Sequence, residues 1–363
     1  MSKNPLTHLM LTALLLASCG ALAGGNLQQL NLTLVDRHLL PRYQQLADAA
    51  MALQRQADTF CRAPDERGLA ALHTRFHQTM DAWMGIQHIR FGTVTLFLRY
   101  NRFEMWPDKH NTGSKQLRRM LAAQDLGELA PDRFPYGSVA VQGLSALERL
   151  LFNDKPLPEA FGSADRPSYR CRLVQAIGAN LARMSEGTLA DWSEGETPYR
   201  EVIRSAEQGN DYFESSDEVA TDFLNTLDTQ LQAIVDQKLR RPLGDSAARV
   251  APRRAESWRS RRSLRNIEIN LEALQDMYLS GFQPMLADKQ AAGLDRRIVA
   301  AFEAALAAAR AIDRPLYEIA ADETQRPALD GLLARCSDLK RLIGDPLPKA
   351  LGIPLGFNSL DGD

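Results

Sequence analysis

No part of the 363-residue chain alternates apolar and polar residues over the length a strand needs. No apolar run beyond the N-terminus is long enough to span a bilayer. The first absence leaves helices to account for the apolar pattern from end to end. An excess of one charge is also missing, since 43 Lys and Arg stand against 45 Asp and Glu, and that balance argues against a nucleic-acid partner. There is no H-E-x-x-H, and G-L-S-A-L around Ser145 lacks the second glycine of a nucleophile elbow. Cysteine is scarce, with four in all.

The N-terminus carries Lys3, an apolar run from Leu9 to Ala17 and then small residues, the pattern of a secretory signal. Leu16-Ala17-Ser18-Cys19 fits a lipobox that would lipidate Cys19, while Ala21-Leu22-Ala23 offers ordinary cleavage. The signal therefore ends at residue 23, or at residue 18 with Cys19 as the anchored first residue. Export leaves Cys61, Cys171 and Cys336 in an oxidising compartment, an odd number that allows one internal pair. Cys61 closes one predicted helix and Cys171 opens another, so these two are the expected pair; the alternative is three buried thiols.

Apolar spacing predicts helices from near Pro41 to Phe60, from Arg67 to Arg90, from Ser114 to Ala123, from Val139 to Phe152 and from Tyr169 to Trp192. Gly, Glu, Thr and Pro between Ser193 and Pro198 mark a domain boundary, dividing the chain into 27–196 and 197–363. The second half predicts helices at Ser216–Arg240, Ala255–Gly281, Leu294–Ile312 and Pro327–Ile343. I-G-A-N-L at Ile177 and I-E-I-N-L at Ile267 hint at a duplicated four-helix bundle. The fold class is all-α, in two helical-bundle domains.

In the Val139–Phe152 stretch, Ala140, Leu144, Leu147 and Leu151 form one apolar stripe. Ser145 and Glu148 share a face beside it, and a carboxylate in that position needs a cation, a metal or a donor. Gly143, read inside a helix, costs about 1 kcal/mol relative to alanine and marks a close contact or a ligand. The run Gly143-Leu144-Ser145-Ala146-Leu147-Glu148 resembles the G-x-H-x-x-E signature of the imelysin-like family, with Ser145 where that family has its metal-binding histidine. Four further segments are similar to one branch of that family and fall in the expected order: Trp83 to Gly92, Arg102 to Lys109, Trp258 to Arg265, and Gly356 to Asp363.

The resemblance implies two four-helix-type bundles with a cleft between them, and an exported protein of a Gram-negative envelope, periplasmic or anchored in the outer membrane as a lipoprotein. It also implies a part in iron uptake, through non-catalytic binding of a metal or a metal-linked ligand. A metallopeptidase and a surface lipoprotein acting as an interaction module are the alternatives. Gly143, Ser145, Glu148, His88, Arg90, Arg99, Arg259, Arg262 and Ser263 are the expected cleft residues. Glu148, His88, Glu104 and Asp108 are the ligand set for iron or zinc, since such carboxylate and imidazole groups suit iron; an ion pair of Glu148 with Arg90 or Arg99 is the competing arrangement.

Other features point more weakly to a site. His73, His77 and Asp81 form a helical row that would grip one metal or else line a solvated edge. Arg249, Arg253, Arg254, Arg259, Arg261, Arg262 and Arg265 would serve an anionic ligand, a lipid headgroup or solubility. The expected partners are a metal ion or anionic ligand and an outer-membrane or iron-uptake protein, with membrane contact through a lipid anchor. Asp361-Gly362-Asp363 would by default be a frayed, solvated tail, and its resemblance to the family ending favours a tail docked through Phe357.

Overall fold

The computed structural model describes residues 27–153, 156–289 and 291–356. The signal, Cys19 and the tail at Phe357 and Asp361 to Asp363 lie outside the described residues. Among those residues the chain is helical, and the β structure is one bridge between Gly162 and Pro167. No described helix is long and apolar enough to cross a membrane.

Helix α1 (Leu40–Arg62) carries Pro41 in its first turn, as expected. Helical residues from 27 onward, not expected from the sequence, lead into it through a π-helical turn, Leu34–Leu39. Pro41 has no amide N–H to give, and it follows directly on a turn where the ordinary ladder is already interrupted. Helix α2 (Glu66–Ile86) is capped by Asp65, whose carboxylate accepts from Gly68 N at 2.6 Å. It stops at Ile86, so Gln87 and His88 fall in the turn beyond it. Helix α3 is Thr112–Ala123.

Helix α4 (Leu144–Phe152) is shorter than the expected Val139–Phe152, because Val139–Val141 is a separate 3-10 turn and Gly143 is the N-cap. Helix α5 (Tyr169–Ser193) is capped by the Ser168 hydroxyl, which accepts from Cys171 N at 3.3 Å. In the second half, α6 (Ser216–Gln232) runs on through π-helical Ala233–Arg240. Helix α7 is Ser263–Met277, followed by α8 (Ala292–Arg310) and α9 (Arg326–Gly344). The expected start of α7 at Ala255 is corrected to Ser263, since Ser257 and Arg261 take left-handed backbone angles (φ 48° and 64°) that a helix cannot include.

Helix α1 packs between α2 and α5, α8 packs between α7 and α9, and α2 lies across α7. Apolar side chains from both sides of the Ser193–Pro198 stretch belong to one continuous core, including Trp83, Trp192, Phe223 and Phe302. Cys61 and Cys171 are bonded, with a Cα separation of 5.7 Å, tying the end of α1 to the start of α5. Cys336 is a buried free thiol whose pKa burial pushes up to about 12.

Candidate functional site

A cavity of about 350 Å³ opens between α4, the loop around Asp108 and the segment from Arg241 to Arg259. Gly143 lets α4 begin there. A Cβ on it would sit 2.3 Å from the Arg102 carbonyl oxygen and 2.4 Å from that of Phe103. Ser145, Glu148 and Arg149 of α4 line the cavity. Asp108 accepts from the backbone N–H groups of Thr112 (2.7 Å) and Gly113 (2.9 Å) at the start of α3. Arg149 reaches Asp108 at 3.2 Å, Ser114 Oγ at 3.1 Å and the Ser145 carbonyl at 2.8 Å. Glu148 Oε1 accepts from both the backbone N–H (2.9 Å) and the hydroxyl (2.8 Å) of Ser260.

The charge balance of the lining is basic: Arg149, Arg241, Arg253, Arg254 and Arg259 face Asp108 and Glu148. Arg241, Arg253, Arg254 and Arg259 form no ion pair with a carboxylate among the described residues. Arg259 lies 4.5 Å and Arg253 5.5 Å from the centre of the Trp258 ring. Burial, then repulsion from Arg149, lowers the Arg259 pKa. Arg259 also donates to Asn153 Oδ1 at 3.3 Å, while Arg253 and Arg254 stay exposed at the mouth. Four guanidiniums with no carboxylate in ion-pair contact among the described residues suit an anion with several oxygens.

Behind the cavity wall formed by Trp106 lies a buried polar seam. The Lys238 ammonium is 6.0 Å from the Trp106 ring centre and donates to Glu256 (2.7 Å), Asn270 (2.7 Å) and Gln87 (2.9 Å). Glu104 accepts from Trp83 Nε1 at 3.0 Å and Gln87 Nε2 at 3.1 Å. Burial, with repulsion from Glu256, holds its carboxyl well above the usual range. At the far end His88 Nε2 lies 2.8 Å from His38 Nε2, and His38 Nδ1 lies 2.8 Å from Asp276. If Asp276 accepts from His38, then His88 donates to His38 and keeps a buried Nδ1 without a partner among the described residues.

Of the expected cleft residues, Ser145, Glu148 and Arg259 line this cavity. The others are placed elsewhere. Gly143 packs on the 102–103 backbone, His88 on His38, and Arg90 over Tyr100 with a bond to Gln230 at 3.4 Å. Arg99 pairs with Asp191, and Arg262 with Asp81 and His77. Ser263 donates to the Glu256 carbonyl at 2.6 Å.

Neither expected partner of Glu148, Arg90 or Arg99, reaches it; Ser260 does. The set Glu148, His88, Glu104 and Asp108 does not fit a metal ion. Among the described residues no three His, Cys, Asp or Glu side chains are grouped to hold one. Asp108 is already satisfied by Arg149 and two N–H groups, while His88 belongs to the seam. The row on α2 is likewise divided: His73 bonds the Leu151 carbonyl at 3.1 Å while Asp81 serves Arg262 and Arg265. Sequence reasoning missed Arg149, Arg241, Ser260, Lys238 and His38. Lys238 carried a signal, a lone charge between Ile234, Val235 and Leu239 on an apolar helix face.

Residues 39–343 match the family model for imelysin, Peptidase_M75. Among characterised proteins, Iron-regulated protein A of Synechococcus elongatus is 23% identical over 270 residues, covering 73% of this chain and 68% of that protein. An imelysin-like protein from Psychrobacter arcticum has the same fold, with a TM-score of 0.74 at 16% identity, covering 92% of this chain and 98% of that one. A structure from Parabacteroides distasonis aligns with the same TM-score and identity over 90% of this chain and 95% of its own.

Proposed function

Because the chain belongs to the imelysin family, we propose that it is an exported, non-catalytic binding protein of iron uptake, and that its cavity takes iron as an anionic carboxylate chelate rather than as a bare ion. One observation carries this reading: Arg241, Arg253, Arg254 and Arg259 line a cavity with no carboxylate paired to them among the described residues. A chelate brings its own ligands to the metal, so Ser145 in place of histidine does not prevent binding. The protein's task is then to hold the outer oxygens, and bidentate guanidiniums do this well. Support for iron comes from the relative named Iron-regulated protein A, and support for export from the signal-like residues before position 24. Binding fits the donor set better than peptide cleavage, since Glu148 is held by Ser260 and Asp108 by Arg149.

The test is calorimetric titration with ferric citrate, citrate and uncomplexed iron or zinc. Ferric citrate is expected to bind at one site, and Arg254→Ala or Arg259→Ala to weaken it about tenfold each, the loss of one charge-assisted contact. Stoichiometric binding of the bare metal, with both arginine variants unchanged, would reject the reading.

A further inference from the structure

The segment Gly92–Leu98 has an exposed apex, in which Leu96, Phe97 and Leu98 are 47%, 75% and 61% exposed. Phe97 (φ 54°, ψ 28°) and Leu98 (φ 57°, ψ 28°) both hold left-handed backbone angles. Bulky residues adopt these only where the surroundings impose them. Here the surroundings are firm. Thr93 Oγ1 donates to the Thr188 carbonyl at 3.2 Å, Arg99 donates to the Thr93 carbonyl at 3.2 Å and pairs with Asp191, and Arg102 donates to the Phe97 carbonyl at 3.4 Å. Strain is thus spent on aiming three consecutive apolar side chains at solvent instead of folding them inward.

The rim of this apex is basic and aromatic. Arg102 reaches the Phe97 carbonyl, and the Arg99 guanidinium lies 5.7 Å from the Phe97 ring centre. Burial, then repulsion from Arg183 and Arg99, lowers the Arg102 pKa against the pull of Tyr136. Tyr136 is 87% exposed and shares a shallow cavity with Arg133. Arg102, Arg133 and Arg183 have no carboxylate partner among the described residues, whereas Asp191 is neutralised by Arg99 and the exposed Glu186 offsets one charge. A three-residue apex is far smaller than the roughly 800 Å² that each partner contributes to a stable protein interface. Apolar residues at a tip, ringed by arginine and tyrosine, match the layering of an anionic bilayer surface.

We infer that the Leu96-Phe97-Leu98 apex is a membrane-contact element, inserting its side chains at the acyl boundary of an anionic leaflet while Arg133 and Arg183 face headgroup phosphates. The test uses the full chain with Phe97→Trp and vesicles of phosphatidylglycerol or of phosphatidylcholine, with and without brominated acyl chains. With the anionic vesicles the emission of Phe97→Trp is expected to shift to the blue and to be quenched by bromine. Vesicle pelleting should fall about tenfold when Leu96, Phe97 and Leu98 are all replaced by Ser, and also in Arg133→Glu with Arg183→Glu. Residues 1–26 are common to every variant, so differences report on the apex, and circular dichroism checks the helices. Emission unmoved by vesicles, pelleting unchanged in the serine variant, or a dimer in gel filtration that the serine variant abolishes would each overturn the inference.

Discussion

Lys238 shows how much one side chain decides in this fold. It is 2% exposed, its ammonium is shared among Glu256, Gln87 and Asn270, and Glu256 Oε1 already lacks a partner among the described residues. Removing the cation would leave a buried carboxylate uncompensated. Lys238→Met is therefore expected to cost about 3–5 kcal/mol in urea unfolding. Adding Glu256→Gln should recover part of that loss, and equal stability of the single and double variants would contradict the account. Gly143 makes a second case, in which the sequence reading and the structure predict opposite signs. Inside a helix, Gly143→Ala would gain about 1 kcal/mol. At the observed N-cap, with two backbone oxygens within 2.4 Å of the new Cβ, it should instead lose about 1–3 kcal/mol, measured by the same unfolding experiment.

Between elements, the polar seam where α2 meets α7 ties stability to pH. Burial lowers the pKa of His38 from 6.5 to about 4, against the opposing pull of Asp276, and lowers that of His88 well below 6.5. Both imidazoles are neutral in the fold, while the unfolded chain takes up protons near 6.5. Their contribution is present above pH 6.5 and is lost as pH falls toward 4. Glu104 and Asp222, the latter raised to about 6, act in the opposite sense, binding protons more tightly in the fold and losing that contribution as pH rises. The histidine effect is isolated by comparing the protein with His38→Gln/His88→Gln. The stability gap between the two should narrow as pH falls from 6.5 to 4, and a constant gap would show that the pair does not titrate as described. Helix faces were legible in the sequence because apolar spacing reports them directly, as Leu69, Leu72, Phe76, Met80 and Trp83 do in α2. Helix starts were less so, because the left-handed backbone at Ser257 and Arg261 and the collision space around Gly143 depend on contacts made in three dimensions. His38 gave no local signal, since its partners lie 50 and 238 residues away.

At the scale of the whole molecule the candidate site follows the same division. Its chemistry was partly legible, because Glu148 sits in a recognisable motif and Arg259 in an arginine-rich segment. Its membership was not, since the cavity joins Asp108, Arg149 and Arg241 from three distant stretches while Arg262, equally basic in sequence, turns away to Asp81. That convergence has a thermodynamic consequence. The cavity is lined from both halves of the chain, and those halves share one apolar core. Unfolding either half would expose the core of the other and dismantle the cavity. Calorimetry is therefore expected to show one cooperative transition rather than two. A ligand held by Arg149 on one side and Arg254 on the other should move that transition as a unit, by about 2.7 kcal/mol at a free concentration a hundred times its Kd. Ferric citrate is the probe for this experiment, and Arg254→Ala the control that should reduce the shift. Two resolved transitions, with only the earlier or later one moved by the ligand, would mean that the halves fold independently and that the cavity belongs to one of them.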